Sequence, residues 1–237
     1  MKTDQYFVFS IVIFLLGVIT GVTFFCGFFD NNPGALLPAF ATLIAAFLGA
    51  GTAFLLQNQK EKRKEIDENV AHGNEVIAAL QNRINLLAGY RGKFIEPHRH
   101  NEFRWLEIRL PQYKLRPSID LNPTDLRFLW KKGDVTLPTR VAEQKTIFEV
   151  VIDLIKTRSD FYKNVVIPTV DSVLIPYGAN ASYEHATSAM TNQQKEEIKL
   201  HTDNMIDNID DVIESHLEVA RELTKEIKSI YPNSRAC

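Results

Sequence analysis

The sequence predicts an all-α membrane protein, with an N-terminal two-helix transmembrane hairpin followed by a cytoplasmic helical bundle of coiled-coil character. Residues 6–29 and 35–56 are long runs without a charged side chain, and apolar residues then recur at spacings of three and four. Five prolines gather in a basic stretch at residues 90–140. We therefore divide the 237 residues into a membrane hairpin at 1–56 and a cytoplasmic domain at 57–237 with a small irregular basic insertion.

Each apolar run is long enough to cross a bilayer. At about 1.5 Å per residue the runs form helices of roughly 33–36 Å, against a hydrocarbon core of about 30 Å. Between them, residues 30–34 have the sequence Asp-Asn-Asn-Pro-Gly, which is typical of a tight turn. Because the first run exceeds the apolar core of a signal peptide and no small-residue cleavage site follows it, we expect it to remain as a span.

Basic residues flank the hairpin on one side only. Lys2 precedes the first run and four cations at residues 60–64 follow the second, whereas the turn carries the acidic Asp30. Cytoplasmic flanks of membrane helices are enriched in Lys and Arg. We therefore predict a bacterial inner-membrane protein with two spans and both termini in the cytoplasm.

The second span is expected to continue into a stalk helix at residues 57–89, ending near Gly89 or Gly92. Seven residues of the stalk form a heptad seam that predicts packing against another helix. They are Ile66, Val70, Gly73, Ile77, Leu80, Ile84 and Leu87.

Two further helices are expected, at residues 138–165 and 191–231. Pro168 and Pro176 should end the first of them, because proline lacks an amide hydrogen and clashes with the preceding turn. The polar residues 177–188 are expected to form a loop. The last helix should run antiparallel to the stalk, with the middle helix as third member of the bundle.

Capping residues locate two helix starts and one helix end. Asn122 before Pro123 is typical of a helix start, and Gly133 of a helix end. Thr191 and Gln194 have the spacing of a capping box, in which each side chain bonds the other residue's amide.

The insertion at residues 90–140 combines eleven cations with six acids, a net charge of +5, whereas residues 141–237 have a net charge of −6. Residues 105–110 form either a short strand or a helical turn. Cations interleaved with aromatic residues are typical of surfaces that bind phosphate or single-stranded nucleic acid. The alternative is that the insertion folds against the acidic last helix or faces water. The candidate cations for an anionic partner are Arg99, Arg104, Arg109, Lys114, Arg116, Arg127, Lys131 and Lys132.

Small residues form stripes in both apolar runs, at a spacing of four. In lipid, helices associate through close backbone approach at such residues. The stripes either pack the hairpin on itself or join several hairpins into a homo-oligomer, which we favour because the stalk seam continues the second run. The stripe residues are Gly17, Gly21, Ala41, Ala45, Gly49 and Ala53.

Several function classes are disfavoured. Neither run contains an ionisable residue, which argues against ion-coupled transport. His98 and His100 lack a third ligand at metal-binding spacing, and His216 lies on a seam, where a hydrogen-bonded core histidine is expected. Since no nucleotide-binding loop, nucleophile elbow or Cys-x-x-Cys motif is present, we expect no enzymatic activity, metal or cofactor.

Two closely spaced spans, a seamed juxtamembrane helix and a small cytoplasmic helical domain resemble the two-transmembrane effectors of bacterial anti-phage systems. These include the retron-associated and the SLATT-type membrane effectors. The resemblance covers the layout of the whole chain, is carried by residues 6–29, 35–56 and 66–87, and involves no residue motif.

That resemblance implies a toxin that damages the inner membrane and causes abortive infection. A retron reverse transcriptase with its RNA–DNA hybrid, or a cyclic nucleotide signal, would control it through the basic region. Two alternatives are a membrane-anchored scaffold whose helical domain binds a protein, and a membrane enzyme with an unrecognised site.

Overall fold

The computed structural model describes residues 36–108, 115–131, 133–177 and 182–232, together with Gly17 and Gly21. Within these ranges the chain is helical and has no β-strand, which confirms the all-α prediction. Seven α-helices are described: α1 (Leu36–Tyr90), α2 (Arg104–Glu107), α3 (Arg127–Lys131), α4 (Thr136–Phe161), α5 (Ile167–Tyr177), α6 (Tyr183–Ser188) and α7 (Asn192–Ile230). The shorter segments are the π-helical turns Arg91–Ile95 and Tyr162–Val166 and the 3-10 turns Glu96–His98 and Pro123–Leu126.

The chain forms two compact units, residues 1–63 and 64–237. The division falls a little beyond the boundary predicted after residue 56. Helix α1 contributes residues to both units, and its end at Tyr90 agrees with the expected end of the stalk.

In the first unit, α1 is the one described helix that is long and apolar enough to cross a membrane. None of the residues in its most apolar stretch is buried. The predicted first span at residues 6–29 and the turn at 30–34 lie outside the described residues, apart from Gly17 and Gly21, which are helical and exposed.

Helix α7 is the centre of the second unit, since it packs most extensively against α4 and also contacts α1. Near one end of the contact between α1 and α7, Asn69 Nδ2 donates a hydrogen bond to Tyr231 Oη at 3.0 Å. Near the other end, Tyr90 Oη donates one to Met205 Sδ at 3.6 Å. Since the contacts run from 69 with 231 to 90 with 205, the two helices are antiparallel, as their seams predict.

Helix α4 is the third member of the bundle. Its buried residues Val141, Phe148 and Ile155 belong to the same two apolar clusters that α1 and α7 form. A smaller cluster around Trp105 and Val166 extends the core at the end of the bundle where α1 stops. The predicted three-helix arrangement is therefore confirmed.

The capping predictions are confirmed as well. Asn122 Oδ1 accepts a hydrogen bond from the Thr124 amide at 3.2 Å, and the following helix ends before Gly133, whose φ of +89° favours glycine. Thr191 Oγ1 accepts from the Gln194 amide at 3.2 Å, while Gln194 Oε1 accepts from the Thr191 amide at 2.9 Å.

Two predicted boundaries are wrong. Pro168 does not end a helix but lies at the start of α5, because the π-helical turn Tyr162–Val166 changes the backbone hydrogen bonding just before it. The loop expected at residues 177–188 contains α6, where Ser182 and His185 form a capping box that uses a histidine ring nitrogen. In the insertion, residues 104–107 form a helical turn, which decides between the two conformations left open there.

Gly73 lies where α1 and α7 approach closely, since a β-carbon added there would overlap the Ile227 side chain. We expect Gly73→Leu to lower the free energy of unfolding by about 1–3 kcal/mol through overpacking. Gly89 in the same helix has open space around it, so Gly89→Leu should leave the stability unchanged or raise it by up to about 1 kcal/mol. Urea unfolding of the full chain in detergent compares the two, and equal effects would contradict a close approach at Gly73.

Candidate functional site

The apolar stretch of α1 at residues 41–56 displays its large side chains. Ile44 is 52% and Leu48 61% exposed. The polar groups of the stretch are satisfied locally, because Thr42 Oγ1 donates to the Pro38 carbonyl at 2.8 Å and Thr52 Oγ1 to the Leu48 carbonyl at 2.7 Å. A helix with apolar side chains outside and every hydrogen bond within itself suits a lipid environment.

The small residues of this stretch also lie on the surface. Ala41, Ala45, Gly49 and Ala53 are all exposed. A β-carbon added at Gly49 would have open space around it among the described residues. The stripe is therefore available for contact, and its role in hairpin packing or oligomerisation stays a prediction.

The cations of the basic insertion are placed differently from one another. Arg99 donates to Asp210 on α7, with Nη1 at 2.8 Å from Oδ2 and Nη2 at 3.2 Å from Oδ1. Arg104 donates to Asp203 from Nε at 3.1 Å and from Nη2 at 2.8 Å. Lys131 pairs with Glu65 of α1 at 3.3 Å. Arg99 and Arg104 thus follow the alternative in which the insertion folds against the acidic last helix.

The ion pair between Arg99 and Asp210 shifts the pKa of both groups. The hydrogen bond with Asp210 raises the pKa of Arg99 above its usual value. Burial opposes ionisation of Asp210, but hydrogen bonds from Arg99 and Arg91 outweigh it and lower the pKa of that carboxyl. These groups are therefore charged at neutral pH.

Two other predicted cations, Arg116 and Arg127, are exposed and have no ion pair in the described part of the chain. Arg109, Lys114 and Lys132 lie outside the described residues. The structure does not bring the eight predicted cations together into one cluster. Their binding to an anionic partner stays a prediction.

Sequence reasoning missed a fully buried arginine on α4. Arg158 Nε donates to Thr202 Oγ1 at 3.3 Å and Nη2 to the Trp105 carbonyl at 3.1 Å, while its guanidinium lies 5.1 Å from the centre of the Tyr162 ring. Its Nη1 has no partner and no carboxylate pairs with it within the described ranges. Burial lowers the pKa of Arg158. Its spacing from the buried Ile155 was the available signal, since three residues along a helix return to the same face.

A second buried arginine, Arg83, lies on α1. Its Nη1 donates to the Ala79 carbonyl at 3.0 Å and to the Ile119 carbonyl at 3.1 Å. Its guanidinium lies 5.4 Å from the centre of the Phe148 ring, and Asp120 is 3.9 Å from Nη2. Burial is the main cause that lowers the pKa of Arg83, against the attraction of Asp120. Arg83 therefore joins α1 to the segment that precedes the 3-10 turn Pro123–Leu126.

His216 on α7 lies next to this arginine in the core. It is completely buried, and its ring centre is 6.2 Å from that of Phe148. Neither ring nitrogen has a hydrogen-bond partner of normal geometry in the described part of the chain, so the expectation of a hydrogen-bonded core histidine is only half right. Burial lowers the pKa of His216 to about 4; the Val212 carbonyl acts in the opposite direction and the charge of Arg83 in the same one.

Arg83 also lines a cleft of about 980 Å³. Three cations and three acids surround this space, so its charge favours neither anions nor cations. They are Arg83, Arg116 and Lys145, and Asp120, Glu149 and Asp153. Elsewhere, His98 lies 3.7 Å from Glu107, and no group of three possible metal ligands occurs in the described ranges.

Comparison of the chain with protein-family models, with characterised proteins and with solved structures finds no match. The class of the protein therefore follows from its fold alone. The described chain is an all-helical protein with one candidate membrane-spanning helix and a bundle of three long helices.

Proposed function

We propose that the protein is an inner-membrane effector of a bacterial anti-phage system, with two spans and both termini in the cytoplasm. A nucleic-acid-containing or nucleotide-signalling partner keeps it inactive, and a retron reverse transcriptase with its RNA–DNA hybrid is the partner that the resemblance implies. Once released, homo-oligomers of the hairpin disrupt the membrane and cause abortive infection. The proposal assigns no enzymatic activity.

The exposed apolar stretch at residues 41–56 carries this proposal. Six large apolar side chains in it are between 49% and 61% exposed. Each gains about 1.5–3 kcal/mol when it leaves water completely, so the stretch has a driving force of order 10 kcal/mol toward lipid. The six are Leu43, Ile44, Leu48, Phe54, Leu55 and Leu56.

The chemistry of the stretch favours disruption of the bilayer over selective transport. Residues 35–56 contain no ionisable side chain, and the hydroxyls of Thr42 and Thr52 are engaged with the helix backbone. Transporters use intramembrane charges to couple ion and substrate movement. An oligomer built from this helix has no such group, so the expected effect on the cell is depolarisation.

Expression of the protein alone, without its partner, tests the proposal. We expect rapid loss of membrane potential and arrested growth, measured with a voltage-sensitive dye after induction. Normal growth and potential at high expression would contradict the effector function.

Paired glycine substitutions sharpen this test. Gly49→Leu fills the small-residue stripe and should reduce depolarisation at equal protein level. Gly51→Leu adds the same volume about 200° around the helix and should have a smaller effect. Equal effects of the two substitutions would contradict packing through the stripe.

A membrane-anchored scaffold is the second candidate. The observation that favours it is the engagement of Arg99 and Arg104 with Asp210 and Asp203, which leaves less positive charge for an anionic partner. In that case the helical domain binds a protein, and strong expression leaves the membrane potential unchanged.

A further inference from the structure

Three arginines in a short segment of the insertion reach across to one face of α7. Arg91 Nη1 donates to Asp210 Oδ1 at 3.1 Å, and Arg99 holds both oxygens of the same carboxylate. Arg104 donates twice to Asp203. Asp210 thus lies between two guanidinium groups, an arrangement in which arginine also holds phosphate.

The two aspartates lie on one face of α7. Asp203 and Asp210 are seven residues apart, about 10.5 Å along the helix axis. Arg91 and Arg99 hold one carboxylate and Arg104 holds the other, so the arginines present two separate anchor points for negative charge along one surface.

The ion pairs can be exchanged without unfolding the segment. The side chains of Arg99 and Arg104 are 23% and 37% exposed, those of Asp210 and Asp203 33% and 46%. Pairs in contact with solvent contribute little to stability. The segment is instead held by buried apolar side chains, those of Ile95, Trp105 and Ile108.

We propose that Arg91, Arg99 and Arg104 form a binding surface for the phosphate backbone of a nucleic acid, which Asp203 and Asp210 occupy as an internal substitute. A nucleic acid that binds there displaces the two carboxylates, and α7 loses its ionic contacts with Arg91, Arg99 and Arg104. The proposed function enters this inference only in the identity of the partner, an RNA–DNA hybrid. The competition itself is a property of this chain.

Binding of a short, labelled RNA–DNA hybrid duplex to the full chain in detergent tests the proposal, measured by fluorescence anisotropy over a range of salt concentrations. Asp203→Asn with Asp210→Asn removes the α7 carboxylates from the arginines while keeping side-chain shape, and should tighten binding about tenfold. Glu96, which also accepts hydrogen bonds from Arg99, stays in place in every variant. The plot of the logarithm of the binding constant against that of the salt concentration should steepen by the amount expected for about three further phosphate contacts. Asp207→Asn with Asp211→Asn is the matched control, because it makes the same change of net charge at two exposed positions of α7.

We expect the gain in affinity to be abolished when Arg99→Gln and Arg104→Gln are added to the Asp203 and Asp210 substitutions. Equal tightening by the two aspartate pairs would overturn the proposal, since net charge alone would then explain it. Absence of binding at low salt in every variant would overturn it too. Competition by free nucleotide at equal phosphate concentration would overturn the assignment to a polymer.

The outcome is separable from that of the proposed function. If expression of the protein alone fails to depolarise cells while the Asp203 and Asp210 variant still gains affinity, the effector function fails and the binding surface stands. If depolarisation occurs and the aspartate pairs behave alike, the binding surface fails and the effector function stands.

Discussion

Replacing Arg158 with alanine should lower the free energy of unfolding by about 3–5 kcal/mol, the largest effect we expect of a single substitution. Arg158 is completely buried and is among the largest fully buried side chains of the described chain. Alanine would leave a cavity against Tyr162 and remove the hydrogen bonds to Thr202 and the Trp105 carbonyl. Urea unfolding of the full chain in detergent, followed by circular dichroism, measures the loss.

Arg158→Met separates the effect of lost side-chain volume from the effect of the lost guanidinium charge. Methionine fills most of the space, and removal of an uncompensated guanidinium recovers a desolvation cost of several kcal/mol, which offsets the two lost hydrogen bonds. We therefore expect the methionine variant to lie within about 1.5 kcal/mol of the original protein. Lys156→Ala, at an exposed position of the same helix, should change the stability by about 0.5 kcal/mol or less. A methionine variant as unstable as the alanine variant would contradict this account.

The main helices and their pairing could be predicted from the sequence because both depend on local spacing. The stalk seam and α7 each place apolar side chains on one face, and burial then requires that the two faces meet. The seam is buried from Val70 to Leu87, whereas Ile66 at its start is exposed. Asn122, Gly133 and Thr191 mark helix ends through bonds to neighbours two or three residues away or through a φ that favours glycine.

The remaining features depend on contacts between residues far apart in the chain. From the sequence alone, Pro168 predicts the end of a helix, and only the π-helical turn before it shows otherwise. The pairing of Arg99 with Asp210 joins residues 111 positions apart, so a count of charges indicates only that the basic and acidic segments attract each other. The burial of Arg158 requires the Trp105 carbonyl and Thr202 as acceptors, and neither lies near it in sequence.

Lowering the pH from about 7 to about 4 should destabilise the protein by about 3 kcal/mol through His216 alone. Burial lowers the pKa of His216 to about 4 in the folded protein, whereas an unfolded histidine has a pKa of about 6.5. Between these values the unfolded state binds a proton that the folded state does not, so stability falls by about 1.4 kcal/mol for each pH unit. Urea unfolding at a series of pH values measures this slope.

Asp210 and Asp120 add little to this slope above about pH 5. The pKa of Asp210 and that of Asp120 are below the usual value of 3.8, the first through Arg99 and Arg91 against burial and the second mainly through Lys145. Their stabilisation is fully present above the pKa of the unfolded carboxyl and is lost as the pH falls from about 5 through the lower folded pKa.

His216→Leu should therefore flatten the pH dependence between about pH 6.5 and about pH 4. It should also raise the stability at neutral pH by about 1–3 kcal/mol, because it removes two buried nitrogen atoms without hydrogen-bond partners in the described chain. His100→Leu, at an exposed position, serves as the control and should retain the original slope. If the leucine variant at position 216 kept the full acid destabilisation, the proton would bind elsewhere. A flattened curve would instead show that protonation of His216, in the core between α1, α4 and α7, causes the acid destabilisation.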